Sequence, residues 1–185
     1  MIRVLYITYD GITDPLGQSQ IVPYLTEMYN NNVSITILSC EKPDIYEKEK
    51  FELKRLLSFS HIKWRFIFYS HSMPLISPIL NFFNLYKVAK AIVKYNDFDI
   101  IHCRSYIPAI IGLKLKKKYE KKYIFDMRGF WPDERVEGGI WNLRNPVYKL
   151  VYKYFKKKEK ELILNSDYVV TLTNKAKEEI KKWGF

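Results

Sequence analysis

Cysteine is scarce in this sequence. Only Cys40 and Cys103 occur among 185 residues, and they form no C-x-x-C pair. This excludes a disulfide framework and a cysteine-rich zinc site, and it favours reduced thiols in the cytosol. The first residues are typical of a strand and not of the hydrophobic region of a signal peptide, which leads to the same cytoplasmic expectation.

Long uninterrupted apolar segments are also missing. The longest candidate, residues 73–93, is broken by polar residues and prolines, so it is too polar for a membrane-spanning helix. Acidic residues are outnumbered, with 20 Asp and Glu against 31 Lys and Arg, which gives a net charge of +11. An anionic small substrate, an anionic membrane surface or nucleic acid could balance this charge, and lysines at solvated helix ends explain part of it.

Several familiar motifs are absent as well. The chain has no Walker A sequence, no H-E-x-x-H, no G-x-S-x-G and no G-x-G-x-x-G. Glu41 imitates the ribose-binding acid of a dinucleotide fold only weakly without those glycines. Asp97 and Asp99 resemble a metal-binding D-x-D, but they lie at the entrance of a predicted strand, where a turn is favoured. We therefore expect neither a cofactor nor a metal ion.

What the sequence does contain is a regular alternation of strand and helix patterns. Strands are predicted at 4–7, 34–38, 63–68, 98–103, 122–125 and 168–172, and helices at 21–29, 44–57, 79–95, 107–119, 146–165 and 174–183. Since nearly all the strands are apolar, they predict a mostly parallel sheet covered on both faces. The expected fold is a three-layer Rossmann-like α/β domain. In the helix at 146–165, one apolar face is expected, formed by Val147, Leu150, Val151, Tyr154, Phe155 and Leu162.

In such a sheet, ligands bind at the carboxyl ends of the strands. The candidate loops at that edge are 10–18, 40–44, 69–77, 103–108, 126–145 and 173–174. The first contains Gly11 and Gly17 and precedes a helix expected to start near Gln18, which is a geometry that binds phosphates. After the fourth strand, Arg104 is a candidate anion clamp, while His102 is favoured as a core histidine over an acid or base.

The loop at 126–145 runs for about twenty residues, which is long enough to favour a functional role. Its carboxylates and Arg128 could bind hydroxyls or phosphates through charged hydrogen bonds. Phe130 and Trp131 offer flat faces that suit sugars. The alternative is a structural loop whose aromatic side chains pack on the sheet edge.

Four segments of the chain resemble the N-terminal domain of retaining glycosyltransferases of family four. They are DPLGQSQ at 14–20, FDIIHCR at 98–104, FDMRGFWPDE at 125–134 and SDYVVTLT at 166–173. The resemblance covers essentially the whole chain and implies one half of a GT-B fold, in which two Rossmann-like domains face a cleft. Residues 1–185 would form the single acceptor-side domain. The donor-binding C-terminal domain, which carries an E-x7-E motif in that family, would be absent; the same spacing between Glu41 and Glu49 is taken as accidental.

The resemblance also implies roles for individual residues. Gly17 matches the second glycine of the loop that approaches the donor diphosphate, and Gln18 stands beside it. Many relatives place a histidine after the fifth strand, where this chain has Asp126 and Arg128; we predict that this pair orients an acceptor hydroxyl and neutralises diphosphate charge. The residues expected to bind the acceptor are Asp10, Gln20, Arg104, Trp131, Asp133 and Glu134.

The leading hypothesis is half of a metal-independent, retaining transferase that moves a sugar from a nucleotide sugar to a glycan or lipid-linked acceptor in cell-surface polysaccharide biosynthesis. The nucleotide sugar is a substrate and not a cofactor, and the isolated half is expected to be inactive or weakly active. The alternative is a Rossmann-like module that binds nucleotides or nucleic acid without transferase activity; nucleic acid is disfavoured because no recognition motif is present. The basic, aromatic segment at 80–90 also suggests the hypothesis that the chain contacts the anionic inner face of a membrane peripherally.

Overall fold

The computed structural model describes residues 1–30, 32–70 and 76–184, and it contains one six-stranded sheet in which all neighbouring strands are parallel. The strand order is β3-β2-β1-β4-β5-β6. The strands are β1 (Ile2–Thr8), β2 (Val33–Glu41), β3 (Lys63–Phe68), β4 (Ile100–Arg104), β5 (Lys122–Met127) and β6 (Tyr168–Thr171). Because the chain runs outward from β1 to β3 and then from β4 to β6 in the other direction, the order reverses between β1 and β4. Residues 71–75, which belong to the candidate loop at 69–77 and the apolar segment at 73–93, lie outside the described residues.

Helices cover both faces of the sheet. They are α1 (Val22–Asn30), α2 (Pro43–Phe59), α3 (Ser77–Tyr95), α4 (Tyr106–Tyr119), α5 (Trp131–Glu137), α6 (Pro146–Leu164) and α7 (Asn174–Lys182). Alternate residues of β1 enter two separate cores. Tyr6 packs in one core with residues of α1 and α2, while Leu5 and Ile7 pack in the other with residues of α3, α4 and α6. The predicted three-layer, mostly parallel fold is confirmed.

Only part of the predicted apolar face of α6 is buried. Val147, Leu150 and Tyr154 are exposed, whereas Leu162 is fully buried and Phe155 packs against the same core. The exposed residues of this face lie in the first half of the helix, and the buried ones lie in the second half. Periodicity predicts which residues share a face, but not how much of that face another element covers.

Two helices begin where the sequence predicted loop. Helical backbone already starts at Pro15 and passes through a π-helical turn, Gly17–Ile21, before α1. The long loop after β5 contains α5, in which Pro132 occupies the first turn and Asp133 and Glu134 complement the positive end of the helix. The prediction of an unbroken loop from 126 to 145 is therefore wrong.

Asp167 fixes the start of β6. Its Oδ2 accepts hydrogen bonds from the Tyr123 backbone N–H and from Lys116 Nζ, both at 2.7 Å. Burial opposes ionisation of this carboxyl, but these hydrogen bonds outweigh it and lower the pKa of Asp167. A lowered pKa in the folded state stabilises the protein above the unfolded-state pKa, and this contribution is lost as the pH falls through the folded-state value.

We therefore expect Asp167→Asn to lower the free energy of unfolding by about 0.5–1 kcal/mol at neutral pH, a modest value because the side chain is partly exposed. The difference from wild type should shrink near pH 3. Urea unfolding at both pH values measures it, with Glu52→Gln on the exposed side of α2 as the control. A difference that is equal at both pH values would contradict the assignment.

Candidate active site at the carboxyl edge of the sheet

The polar residues that end three neighbouring strands lie in one row. Strand register places Thr8 of β1 beside Arg104 of β4, and Arg104 beside Asp126 of β5. One step further into the sheet, Tyr6 pairs with His102. Because side chains two residues apart share a face, all five point toward the same layer. The row lies where the strand order reverses, which is where ligands bind in open α/β sheets.

Two guanidinium groups meet above this row. Arg104 Nη2 and Arg128 Nη2 donate hydrogen bonds to the same oxygen, Gln20 Oε1, at 2.8 and 2.9 Å. Arg104 is only 4% exposed, and its Nε lies 3.5 Å from Asp10 Oδ2. Arg128 Nη1 lies 3.6 Å from Asp126 Oδ1. The structure thus brings together five of the residues that the sequence proposed for the site.

Buried polar atoms lie beneath the arginines. The Tyr6 hydroxyl, both ring nitrogens of His102 and Asp126 Oδ1 make no hydrogen bond with any residue that the structure describes. His102 Nε2 is 3.8 Å from Asp126 Oδ2, and the His102 ring lies 4.8 Å from that of Tyr6. Burial, reinforced by the Asp126 charge, raises the pKa of Tyr6, so its hydroxyl stays protonated at neutral pH. Such groups are rare in native proteins and call for an explanation, and here they surround the predicted catalytic carboxylate.

A cleft of about 700 Å³ opens beside the arginines. Trp131 forms part of its wall and is held by ring contacts to Tyr106, Trp141 and Phe155 at centroid distances of 5.8, 5.2 and 4.8 Å. Arg135 lies over the Trp131 ring, with its Cζ 5.2 Å from the centroid. Of the predicted aromatic pair, Trp131 therefore lines the same cleft as Arg104 and Arg128, whereas Phe130 lines another cavity.

Gly17 and Gln18 make their contacts elsewhere. A Cβ on Gly17 would clash with Gly11 O and with the backbone of Ile12, so glycine is needed for the helix to pack on its own loop. The Gln18 amide donates to Thr13 O at 2.8 Å and points toward α2. The structure does not place Gln18 with the arginines, and the diphosphate role of both residues stays a prediction.

Asp133 is already engaged within the fold. Its two oxygens accept hydrogen bonds from Tyr152 Oη at 2.7 Å and Lys156 Nζ at 2.8 Å. Lys156 also pairs with Glu159, a fully buried carboxylate that accepts a hydrogen bond from Tyr106 Oη. Burial alone would lower the pKa of Lys156, but these hydrogen bonds raise it. Asp133 therefore helps to hold α5 against α6, and its contact with an acceptor remains a prediction.

Glu134 lines a different cavity from Arg104. Its carboxylate occupies the space that a side chain at Gly129 would fill, in a second cavity of about 610 Å³ between α5 and α7. Arg128 lines both this cavity and the main cleft. Glu134 is thus close to the site without lining the cleft that contains Arg104, and its acceptor role also remains a prediction.

Sequence reasoning missed the role of Glu41. This fully buried carboxylate accepts hydrogen bonds from the backbone N–H groups of Ile12 at 2.9 Å and Thr13 at 3.1 Å, and from the hydroxyls of Thr13 and Ser39. Glu41 therefore anchors the loop that carries Asp10. The signal was present: an acid that ends an apolar strand beside β1 needs partners when it is buried.

Asp97 and Asp99 lie at the opposite, amino edge of the sheet. Asp97 pairs with Arg3 and Lys121 at 2.7 and 2.9 Å, and Asp99 accepts the Arg3 backbone N–H at 2.7 Å. Hydrogen bonds from Lys121 and Arg3 lower the pKa of Asp97. These two carboxylates hold a strand entrance, as expected. Within residues 1–30, 32–70 and 76–184, no three His, Cys, Asp or Glu side chains converge as a metal site.

The model of the family described as Glycosyltransferase Family 4 matches residues 19–185. The chain belongs to glycosyltransferase family 4. The predicted recognition of a family 4 domain is thereby confirmed. No curated protein matches the sequence significantly.

Solved structures similar to this family 4 domain share its fold at low identity. A UDP-N-acetylglucosamine 2-epimerase from Listeria monocytogenes has a TM-score of 0.59 at 12% identity, over 100% of this chain and 42% of that one. MurG from Acinetobacter baumannii has a TM-score of 0.53 at 12% identity, over 94% and 42%. The C-terminal domain of the PF1911 hydrogenase from Pyrococcus furiosus has a TM-score of 0.52 at 12% identity, over 68% and 91%. The chain thus spans less than half the length of the first two proteins, and these similarities show the fold alone.

Proposed function

We propose that this chain is the acceptor-side half of a retaining glycosyltransferase, which moves a sugar from a nucleotide-sugar donor to a glycan or lipid-linked acceptor in cell-surface polysaccharide biosynthesis in the cytoplasm. The observation that carries this proposal is the convergence of Gln20, Arg104, Arg128 and Asp126 at the reversal point of the sheet, beside an aromatic cleft. Family membership supports sugar transfer as the reaction. A second domain would bind most of the donor.

The geometry supports a division of roles among these residues. The Asp126 carboxylate is buried at the strand end beside Arg128, and in this proposal it accepts a hydrogen bond from an acceptor hydroxyl. Arg128 and Arg104 supply preorganised positive charge for an anionic group bound in the cleft. Trp131 offers a flat apolar surface for the C–H face of an acceptor sugar. None of these roles requires a metal ion.

Titration of the 185-residue chain separates this proposal from the binding-module alternative. We expect nucleotide sugars to bind in the millimolar range, because their main binding domain is not supplied. Single- and double-stranded oligonucleotides should bind this chain no more tightly than they bind a control protein of equal net charge. Micromolar binding of a nucleotide, or strongly salt-dependent binding of an oligonucleotide well above that control, would favour the alternative.

We also propose that the chain contacts an anionic membrane through the layer formed by α3, α4 and α6. Exposed apolar side chains form a stripe at the start of α3, and lysines continue the stripe along the helix. The apolar residues are Ile76, Ile79, Leu80 and Phe83, and the lysines are Lys87, Lys90 and Lys94. The exposed residues Val147, Leu150 and Tyr154 lie at the matching end of α6. Apolar residues beside lysines are typical of helices that lie on anionic bilayers. Leu85 of the predicted segment is fully buried and cannot contribute.

No helix in the described part of the chain is long and apolar enough to cross a membrane. Cosedimentation with phosphatidylglycerol vesicles at low and high salt tests surface contact instead. We expect binding at low salt and a loss of about tenfold for Phe83→Glu, because that change opposes both apolar insertion and attraction to the lipid. Phe51→Glu, an equally charged change on exposed α2, is the matched control. Absence of binding at low salt would contradict the proposal.

A further inference from the structure

We propose that the acceptor carries an oxyanion, a phosphate or a carboxylate, and that Arg104 and Arg128 bind it at the floor of the cleft. This inference rests on the proposed transferase function and names the chemical class of its acceptor. Among the described residues that line the cleft, three are arginines and one, Asp10, is a carboxylate. The cleft therefore has excess positive charge.

The hydrogen bonds of the two arginines indicate which acceptor would suit them better than an amide. Both guanidinium groups donate to one neutral amide oxygen, Gln20 Oε1, and their nearest carboxylate oxygens lie at 3.5 and 3.6 Å. A guanidinium presents five donors in a fixed fork that matches a carboxylate or phosphate. An oxyanion with two or more oxygens at the position of the Gln20 amide would give each arginine a charge-assisted hydrogen bond, which is about twice as strong as a neutral one.

Helix α4 adds to this preference. Ser105, Tyr106, Ile107 and Pro108 at its N-terminus line the same cleft, and its first turn contains no acidic residue. Unpaired N–H groups and the helix dipole make such an end favourable for anions. Ser105 has a φ of +65°, a conformation that costs energy for a non-glycine residue and recurs at functional sites.

The surroundings connect the anion to a sugar. Trp131 and Trp141 form a wall of the same cleft, and Arg135 lies over Trp131. A sugar phosphate or an acidic sugar would place its ring against the aromatic wall while its oxyanion reaches Arg104 and Arg128. This domain would thus recognise the ring and the charge together, as expected for an acceptor.

Gln20→Glu is the sharpest test because it supplies an anion of its own. The substituted carboxylate has the size of the amide and would pair with both arginines, so the fold should be preserved while the anion site is filled. Asn84→Glu, which adds the same negative charge on the exposed side of α3, is the matched control. Calorimetric titration of the 185-residue chain uses glucose 1-phosphate, glucuronate, glucose and UDP as probes.

We expect at least one of the two anionic sugars to bind about tenfold more tightly than glucose. Its affinity should fall about tenfold in Gln20→Glu and stay unchanged in Asn84→Glu. The stronger of the two identifies the oxyanion as phosphate or carboxylate. Equal binding of glucose, or equal affinities in both variants, would overturn the proposal. The proposal would also be overturned if UDP bound as tightly as the anionic sugars and lost this binding in Gln20→Glu, because the bound anion would then belong to the donor.

The outcome is separable from that of the proposed function. Sugar transfer to a neutral acceptor that survives Gln20→Glu would refute the anionic acceptor and leave the transferase intact. The opposite result is also possible: the expected binding pattern is found, but a protein that joins this chain to a donor-binding domain transfers sugar from no nucleotide sugar. That result would refute the transferase function and leave the anion site.

Discussion

Asp126→Asn is expected to lower sugar transfer by about 10²–10³-fold, because it removes the buried charge that faces Arg128 and that we propose orients the acceptor hydroxyl. The change keeps the size of the side chain, so the position of Arg128 should be little affected. Transfer of labelled sugar by a protein that joins this chain to a donor-binding domain measures the effect. Urea unfolding of the same variant shows whether the fold is retained.

Asp97→Asn is the matched control for this prediction. It makes the same chemical change at the opposite edge of the sheet, where Asp97 pairs with Arg3 and Lys121. Transfer should stay within about twofold of wild type, since exposed ion pairs contribute little. If Asp126→Asn and Asp97→Asn lower transfer equally, the active site does not lie at the carboxyl edge.

Glu41→Ala should lower the free energy of unfolding by about 3 kcal/mol, because buried donors of Ile12, Thr13 and Ser39 lose a charged acceptor. Glu41→Gln should cost less, as it retains one acceptor oxygen. Urea unfolding measures both changes. The loop that carries Asp10 should also become more exposed to amide hydrogen exchange, since its anchor is removed.

Glu52→Ala, on the same side of the sheet but exposed on α2, is the control for Glu41→Ala and should change stability by less than about 0.5 kcal/mol. A Glu41→Ala protein as stable as this control would show that the four hydrogen bonds contribute no net stability. The loop would then owe its position to apolar packing of Ile12 alone.

Much of the fold followed from local sequence patterns. The apolar strands and the helices between them were predictable because each pattern is several residues long and bounded by polar residues. The proximity of Arg104 and Asp126 was predictable too. Arg104 and Asp126 each follow an apolar run, and the ends of adjacent parallel strands meet at one edge, so the two side chains had to be neighbours.

What could not be predicted depended on where helices begin and on long-range pairing. Gln18 and Gln20 were both expected at the site, but helical backbone from Pro15 turns residues two apart toward opposite sides of the axis, so they face different neighbours. Helix α5 has seven residues, too few for periodicity to reveal. Glu41 and Glu159 are buried because partners distant in sequence supply their hydrogen bonds, and no local pattern encodes such partners.

Turnover of the 185-residue chain tests directly whether it is the acceptor-side half of a two-domain transferase. Labelled UDP-, GDP- and dTDP-sugars are offered to the chain alone and to the chain joined to the donor-binding half of a family 4 enzyme. We expect no transfer above background by the chain alone and Asp126-dependent transfer by the joined protein, because catalysis needs donor and acceptor in one geometry. Turnover by the isolated chain at about 1–10³ s⁻¹, the range of complete enzymes, would contradict it.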